Sequence, residues 1–220
     1  VDCNAELAWQ TTMGSSDIIV AVFDHGIEPH EDLENENNVS RVMQGFNTAW
    51  MLPGEGVDDS DWHYGNEIWD GCNNVPGAAH GVAVAGIIGA SHNDIGIRGL
   101  APNCMIYPVN TDWNFFTSGN FVEAYYLAVE EGVDVINNSW GFIVEEGDVF
   151  SYPALGEALN MATTEGRNGL GCVITFAAGN EGYNQINFPN NHPSVITVGA
   201  VNQAGAHANY SNFAPALDVV

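Results

Sequence analysis

Unbroken apolar runs alternate along this chain with stretches whose apolar residues recur at helical spacing. Ile18, Ile19, Val20, Ala21, Val22 and Phe23 form one run, bounded by Asp17 and by Asp24-His25-Gly26. A continuous run of that length suits a strand covered on both faces, as in a parallel sheet. Residues 105–109, 133–136, 172–176 and 195–198 read the same way. Between the runs, Phe121, Val122, Tyr125, Ala128 and Val129 fall on one helical stripe, and Ala154, Leu155, Ala158, Leu159 and Ala162 repeat it. The small apolar stretch 81–89 predicts a helix packed tightly inside the fold. The alternation predicts an α/β domain, a doubly wound, mostly parallel sheet with helices on both faces. In such sheets ligands sit beyond the carboxyl ends of the strands. Two segments, 28–77 and 144–153, carry no assignable pattern.

Length and composition narrow this picture. The 220 residues suit a single domain. A charged fraction of only 14% with 45% hydrophobic residues excludes intrinsic disorder. No apolar run reaches the ~18 residues of a membrane span. Val1 to Leu7 lack the basic start and apolar segment of a signal peptide, and the late start suggests processing.

Charge changes the picture more. Arg41, Arg98 and Arg167 are the only basic residues besides histidine, there is no lysine, and the net charge is −25. Phosphate contacts need Lys and Arg, so nucleic-acid binding and docking on anionic membranes are excluded. An anionic field attracts cations, which points to calcium or a positively charged substrate; the alternative is a solubilising surface for a salty or extracellular medium. Segment 28–77 holds many carboxylates without EF-hand spacing. Cys3, Cys72, Cys104 and Cys172 show no metal-ligand spacing. They leave open two disulfides, with three pairings, or free buried thiols.

Four residues at strand ends carry candidate chemistry. Asp24 closes the first strand, where the other role for an Asp before Gly is a turn or cap. His80 opens the small-residue helix. Asn180 follows a buried strand, with an amide able to donate to a developing oxyanion. Ser139 follows Val135-Ile136-Asn137-Asn138 at another strand end. A general-base imidazole needs a carboxylate on its far nitrogen, and a tetrahedral intermediate needs preset donors. Asp, His and an amide in that chain order meet two requirements of acyl transfer by a serine.

These segments resemble the subtilisin-like serine proteases, the subtilases. Ile19 to Ile27 is similar to the family's catalytic-aspartate segment, and His80-Gly81-Val82-Ala83-Val84-Ala85-Gly86 to its H-G-T-H-V-A-G motif. Asn93 to Pro102, Val135 to Gly141, Phe176 to Gly182, Phe188 to Ala200 and Tyr210 to Phe213 follow in family order. The resemblance runs from about Ser15 to Val220. It implies a secreted or extracellular serine endopeptidase acting on polypeptides, with Asp24 orienting the base His80 and Asn180 binding the oxyanion. It further implies substrate contacts by Ser139, Trp140, Gly141, Ala177, Ala178, Gly179 and Asn187. The small residues suggest room for a large apolar side chain, while Glu181 and the acidic field leave basic ones open. Turnover is expected to fall as the imidazole is protonated, giving a neutral to alkaline optimum.

The family also implies Ca2+, held by Asp32 and Asn93 side chains with the carbonyls of Ser91, Ile95 and Ile97. Three departures stand out. Val82 and Ala83 replace Thr and a second His, and His25 stands where Thr, Ser or Asp is usual. The G-T-S-M-A motif that carries the family's serine is not among these residues. Residues 1–220 are therefore expected to be a catalytic domain incomplete at the C-terminus and at the N-terminus, partnered by the remainder of its own chain and unable to fold without it. The rival reading is a non-catalytic subtilase-like module in assembly or binding. An α/β-hydrolase reading fails, because that fold orders its triad Ser, acid, His and uses G-x-S-x-G.

Overall fold

A computed structural model describes residues 3–48, 80–111 and 118–220. Six strands form one parallel sheet in the order β2-β3-β1-β4-β5-β6. They are β1 (Ile19–Asp24), β2 (Phe46–Asn47), β3 (Met105–Asn110), β4 (Val135–Asn138), β5 (Val173–Ala177) and β6 (Ile196–Val198). The helices are α1 (Ala5–Trp9), α2 (His80–Gly89), α3 (Ser118–Glu130) and α4 (Pro153–Gly169), with a 3-10 turn at Glu31–Leu33. This is the doubly wound α/β architecture expected from the alternating pattern.

Side-chain alternation along β1 feeds two cores. Ala21 and Phe23 join Phe121, Tyr125, Leu155 and Leu159 of α3 and α4, together with Ile136, Ile174 and Phe176 of the sheet. Val20 and Val22 point the other way, to Ile106, Ala85 of α2, Ile27 and Leu33. The chain leaves β1 toward β2 and β3 on one side and reaches β4 on the other, so the strand order reverses at β1. That is where doubly wound sheets open a crevice beyond their carboxyl ends.

Several expectations shift. Helix α2 is not tightly enclosed: only Gly81, Ala85 and Gly89 are buried, and Ile87 is 66% exposed. Strands β5 and β6 are not covered on both faces, since Val173 is 41% and Ile196 39% exposed while Ile174, Phe176 and Thr197 are buried. The departure at β5 and β6 has a physical cause. Helices α3 and α4 cover one face of this half of the sheet, and no described element covers the other. The expected strand at 133–136 begins two residues later, because Val133 packs as a core residue in the turn before it. Cys3, Cys104 and Cys172 are free thiols, so the two-disulfide arrangement is not formed; Cys72 lies outside the described residues. Much of segment 28–77 also lies outside them, and 144–152 has no regular element before Pro153 opens α4.

Candidate active site

The carboxyl ends of β1, β4 and β5 meet the start of α2 around two adjoining clefts. Asp24, the last residue of β1, is buried, and its carboxylate accepts the His25 backbone N–H at 2.8 Å. His80 is the first residue of α2, and its Nδ1 lies 2.9 Å from Asp24 Oδ1 and 2.8 Å from Oδ2. That contact directs the other ring nitrogen, Nε2, away from the carboxylate. The His80 side chain is 49% exposed while that of Asp24 is 2% exposed, so a sunken carboxylate orients an accessible ring. A cleft of about 260 Å³ surrounds the pair, lined also by His25, Thr111, Ser139, Trp140 and Gly141. Thr111 ties the floor, its N–H donating to the Asp24 carbonyl at 2.6 Å and its hydroxyl at 3.0 Å.

Ser139, Trp140 and Gly141 also line a second groove of about 210 Å³, shared with Ala177, Ala178, Gly179, Asn180 and Asn187. All seven substrate-contact residues expected from the sequence, and Asn180, therefore fall on one groove next to the His80 cleft. Buried polar residues brace it. Asn138 accepts from the Tyr125 hydroxyl at 2.8 Å and the Trp140 indole at 3.1 Å, and donates to the Thr175 carbonyl at 3.1 Å. Asn190 donates to the Trp140 carbonyl at 3.1 Å and the Ala177 carbonyl at 2.6 Å, pinning the groove's two walls to each other. Asn212 donates to Glu181 Oε2 at 2.6 Å, and the same oxygen accepts the Asn180 N–H at 3.1 Å. Glu181 is thereby engaged in holding the Asn180 loop. Asn190 and Asn212 escaped the sequence reading, because a lone Asn in a loop carries no spacing signal.

The expected metal ligands gather elsewhere, around Asp32. Its Oδ2 accepts the Ile97 N–H at 3.1 Å, while Oδ1 is buried with no hydrogen-bond partner among the described residues. Loop 91–97 wraps this carboxylate so closely that a Cβ on Gly96 would lie 2.3 Å from Oδ2. Asn93 Oδ1 accepts the Ile95 N–H at 2.9 Å, and the Ser91 N–H donates to the Asp32 carbonyl at 2.7 Å. An orphaned buried carboxylate oxygen beside this loop fits a hard, oxygen-seeking cation. One feature opposes it. The buried Arg41 guanidinium donates to Ser91 Oγ at 2.9 Å and already places positive charge nearby. A cleft of about 920 Å³ opens beside this loop and contains neither Asp24 nor His80. Size alone does not mark the chemistry, which follows the histidine–carboxylate contact.

Residues 15–220 match the sequence profile of the subtilase family, and the chain belongs to that family. It is 32% identical over 196 residues to subtilisin of Bacillus pumilus, covering 82% of this chain and 66% of that protein. It is 30% identical over 239 positions to an extracellular protease of Xanthomonas campestris pv. campestris, covering 98% of this chain and 38% of that protein. Among solved structures, a protease from Pseudoalteromonas arctica matches with a TM-score of 0.74 and 27% identity, over 98% of this chain and 65% of that one. The chain thus spans less than two thirds of the length of these relatives.

Proposed function

We propose that the protein is a serine endopeptidase in which Asp24 and His80 act with a serine supplied by polypeptide outside these 220 residues. The observation that carries this reading is the 2.8 Å contact between His80 Nδ1 and the buried Asp24 carboxylate, at the edge of a groove. With its Nδ1–H held by Asp24, the ring keeps the Nε2 lone pair for a serine hydroxyl. His80 takes that proton as the serine oxygen attacks the peptide carbonyl, and Asp24 stabilises the resulting imidazolium. Asn180 donates to the oxyanion. His80 then protonates the leaving amine, and water hydrolyses the acyl-enzyme by the reverse proton path. The strand end at Ser139–Gly141 pairs with an extended substrate backbone. Ala177, Ala178 and Gly179 leave space for a large side chain between walls that include Phe142 and Val144.

The same reading makes these residues part of one catalytic domain. The remaining polypeptide packs on the uncovered side of β4–β6, where Val173 and Ile196 are exposed. Asp32, Asn93 and the carbonyls of Ser91, Ile95 and Ile97 would hold Ca2+, which would neutralise the Asp32 oxygen and stiffen the loop. Chelation should then lower the melting temperature, and an unchanged value would reject this site. The extracellular naming of a relative and the acidic, lysine-free composition support a secreted enzyme.

The direct test is labelling of the full-length protein with a fluorophosphonate, followed by peptide mapping, alongside hydrolysis of unfolded casein. One labelled serine, with labelling lost in His80→Ala, is the expected result. A folded protein that neither labels nor cleaves would overturn the reading in favour of a non-catalytic module.

A further inference from the structure

His25 stands beside the Asp24–His80 pair with a ring nitrogen that no described residue satisfies. Its Nδ1 is buried and makes no hydrogen bond among the described residues. It lies 3.6 Å from Asp24 Oδ1, too far for a hydrogen bond. A ring nitrogen shut off from water costs free energy unless it finds a partner. The rings of His25 and His80 meet edge to face with centroids 6.4 Å apart. One ligand atom from each of Asp24, His25 and His80 lies within 4.8 Å of the other two.

We propose that Asp24, His25 and His80 form a binding site for a divalent transition-metal cation of the Zn2+ class. Two imidazoles and one carboxylate suit Zn2+, whereas Ca2+ takes oxygen ligands. In a tetrahedral site with bonds of about 2.0–2.1 Å, neighbouring ligand atoms stand roughly 3.3 Å apart. The two separations measured to Asp24 Oδ1 bracket that value: 3.6 Å from His25 Nδ1 and 2.9 Å from His80 Nδ1. Small ring movements close the site. Asp24, His25 and His80 line one cleft with Thr111 and Ser139, and a cation reaches the three donors through it. The net charge of −25 raises the local cation concentration.

Binding exchanges one contact for others. His80 Nδ1 gives its lone pair to the cation, and the proton it carried toward Asp24 moves to Nε2. The neutral ring loses no proton overall, but its Nε2 lone pair is no longer free to accept one. The cation would thus inhibit the proposed hydrolysis reversibly, although binding itself does not depend on that reading.

The test is calorimetric titration of Zn2+ into the full-length protein, with thiols alkylated and excess Ca2+ present, together with the visible absorption spectrum of the Co2+ form. One site per chain and the intense spectrum of tetrahedral Co2+ are expected. Losing an outer partner of a metal ligand costs 10–100-fold in affinity, so His25→Gln and His25→Thr should each weaken binding by at least about 100-fold. His207→Gln, at an exposed position outside the cleft, should not. Unchanged zinc affinity in both His25 variants would overturn the site. So would a weak octahedral Co2+ spectrum in the unmutated protein, a result that needs no variant to fold. A protein that binds zinc here yet never cleaves peptides would keep this site and overturn the proposed function instead.

Discussion

His80 Nδ1 rests 2.8 Å from Asp24 Oδ2, although 56 positions separate the two residues in sequence. The backbone sets this approach. A Cβ placed on Gly81 would stand 2.1 Å from the Gly26 carbonyl oxygen and 3.3 Å from Asp24 Cβ. The first turn of α2 therefore lies directly against the turn that leaves β1, and His80 reaches Asp24 because residue 81 has no side chain.

Gly81→Ala should separate the pair. Alanine favours a helix over glycine by about 1 kcal/mol. Overpacking against immobile backbone costs about 1–3 kcal/mol, so the clash outweighs the propensity gain. A shift of about 1 Å in catalytic geometry lowers turnover roughly 10²-fold. On the proposed function, kcat should fall with little change in KM, and the melting temperature should drop. Unaltered turnover and melting would show that the contact between α2 and β1 does not position His80.

Arg41 makes a different kind of structural demand. Its buried guanidinium donates to the carbonyls of Cys104 at 3.0 Å and Gly89 at 2.5 Å, and to Ser91 Oγ at 2.9 Å. Burial lowers its pKa from the ordinary value, and the nearby Cys104 and Asp32 groups oppose that shift. Lysine keeps the charge but not the planar fork. Arg41→Lys should cost about 2–4 kcal/mol, from lost charged hydrogen bonds and unsatisfied carbonyls. Denaturant unfolding should show a lower midpoint at unchanged slope. A midpoint shift equivalent to less than about 0.5 kcal/mol, typical of a surface change, would contradict this.

How much of this was legible in the sequence depends on what carried each feature. Strand β1 was legible because a central parallel strand must be apolar on both faces, and its Asp24 was visible as the first break in the run. Strand β4 was less so. The apolar run stops at Ile136, yet Asn137 and Asn138 belong to the strand and Asn138 is buried, with Tyr125, Trp140 and Thr175 satisfying its amide. The small residues of α2 suggested full enclosure, but apolar composition says only that a face can be buried. It does not say that the covering surface is present. The candidate site was legible through motif resemblance. The unpaired nitrogen of His25 and the bracing by Asn190 and Asn212 were not, since they depend on contacts between distant segments.

The thiol of Cys172 gives an alkaline prediction. It donates to the Val133 carbonyl at 3.1 Å, and burial pushes its pKa up to about 11, with Asp134 adding to the shift and Arg167 opposing it. The unfolded thiol titrates near its reference value of about 8.5. Between that value and about 11 the unfolded chain holds fewer protons, so this thiol's contribution to stability is complete below pH 8.5 and declines above it. Cys172→Ala should flatten part of the loss in melting temperature between pH 8 and 10. Maleimide mapping at pH 8 should modify exposed Cys3 and spare Cys172. Equal modification of both would refute the burial argument.

His192 supplies the acid-side counterpart. It lies between Phe188, at a ring-centroid distance of 6.0 Å, and Gly156 of α4, and its Nδ1 accepts the Ser194 N–H at 3.3 Å. Burial lowers its pKa, because the charged ring would lose water without gaining a counter-charge. A protonated Nδ1 would also turn an acceptor toward Ser194 into a donor facing a donor. The unfolded ring protonates near pH 6.5, above the folded value. As pH falls through that window the unfolded chain binds more protons, and the stability present at neutral pH is lost until the folded ring also titrates. His192→Gln retains an acceptor without a titrating group. The melting temperature of the unmutated protein should therefore fall more steeply between pH 7.5 and 5.5 than that of the variant, with the difference vanishing at the neutral end. Parallel curves across that range would show that the ring charges without cost in the folded state.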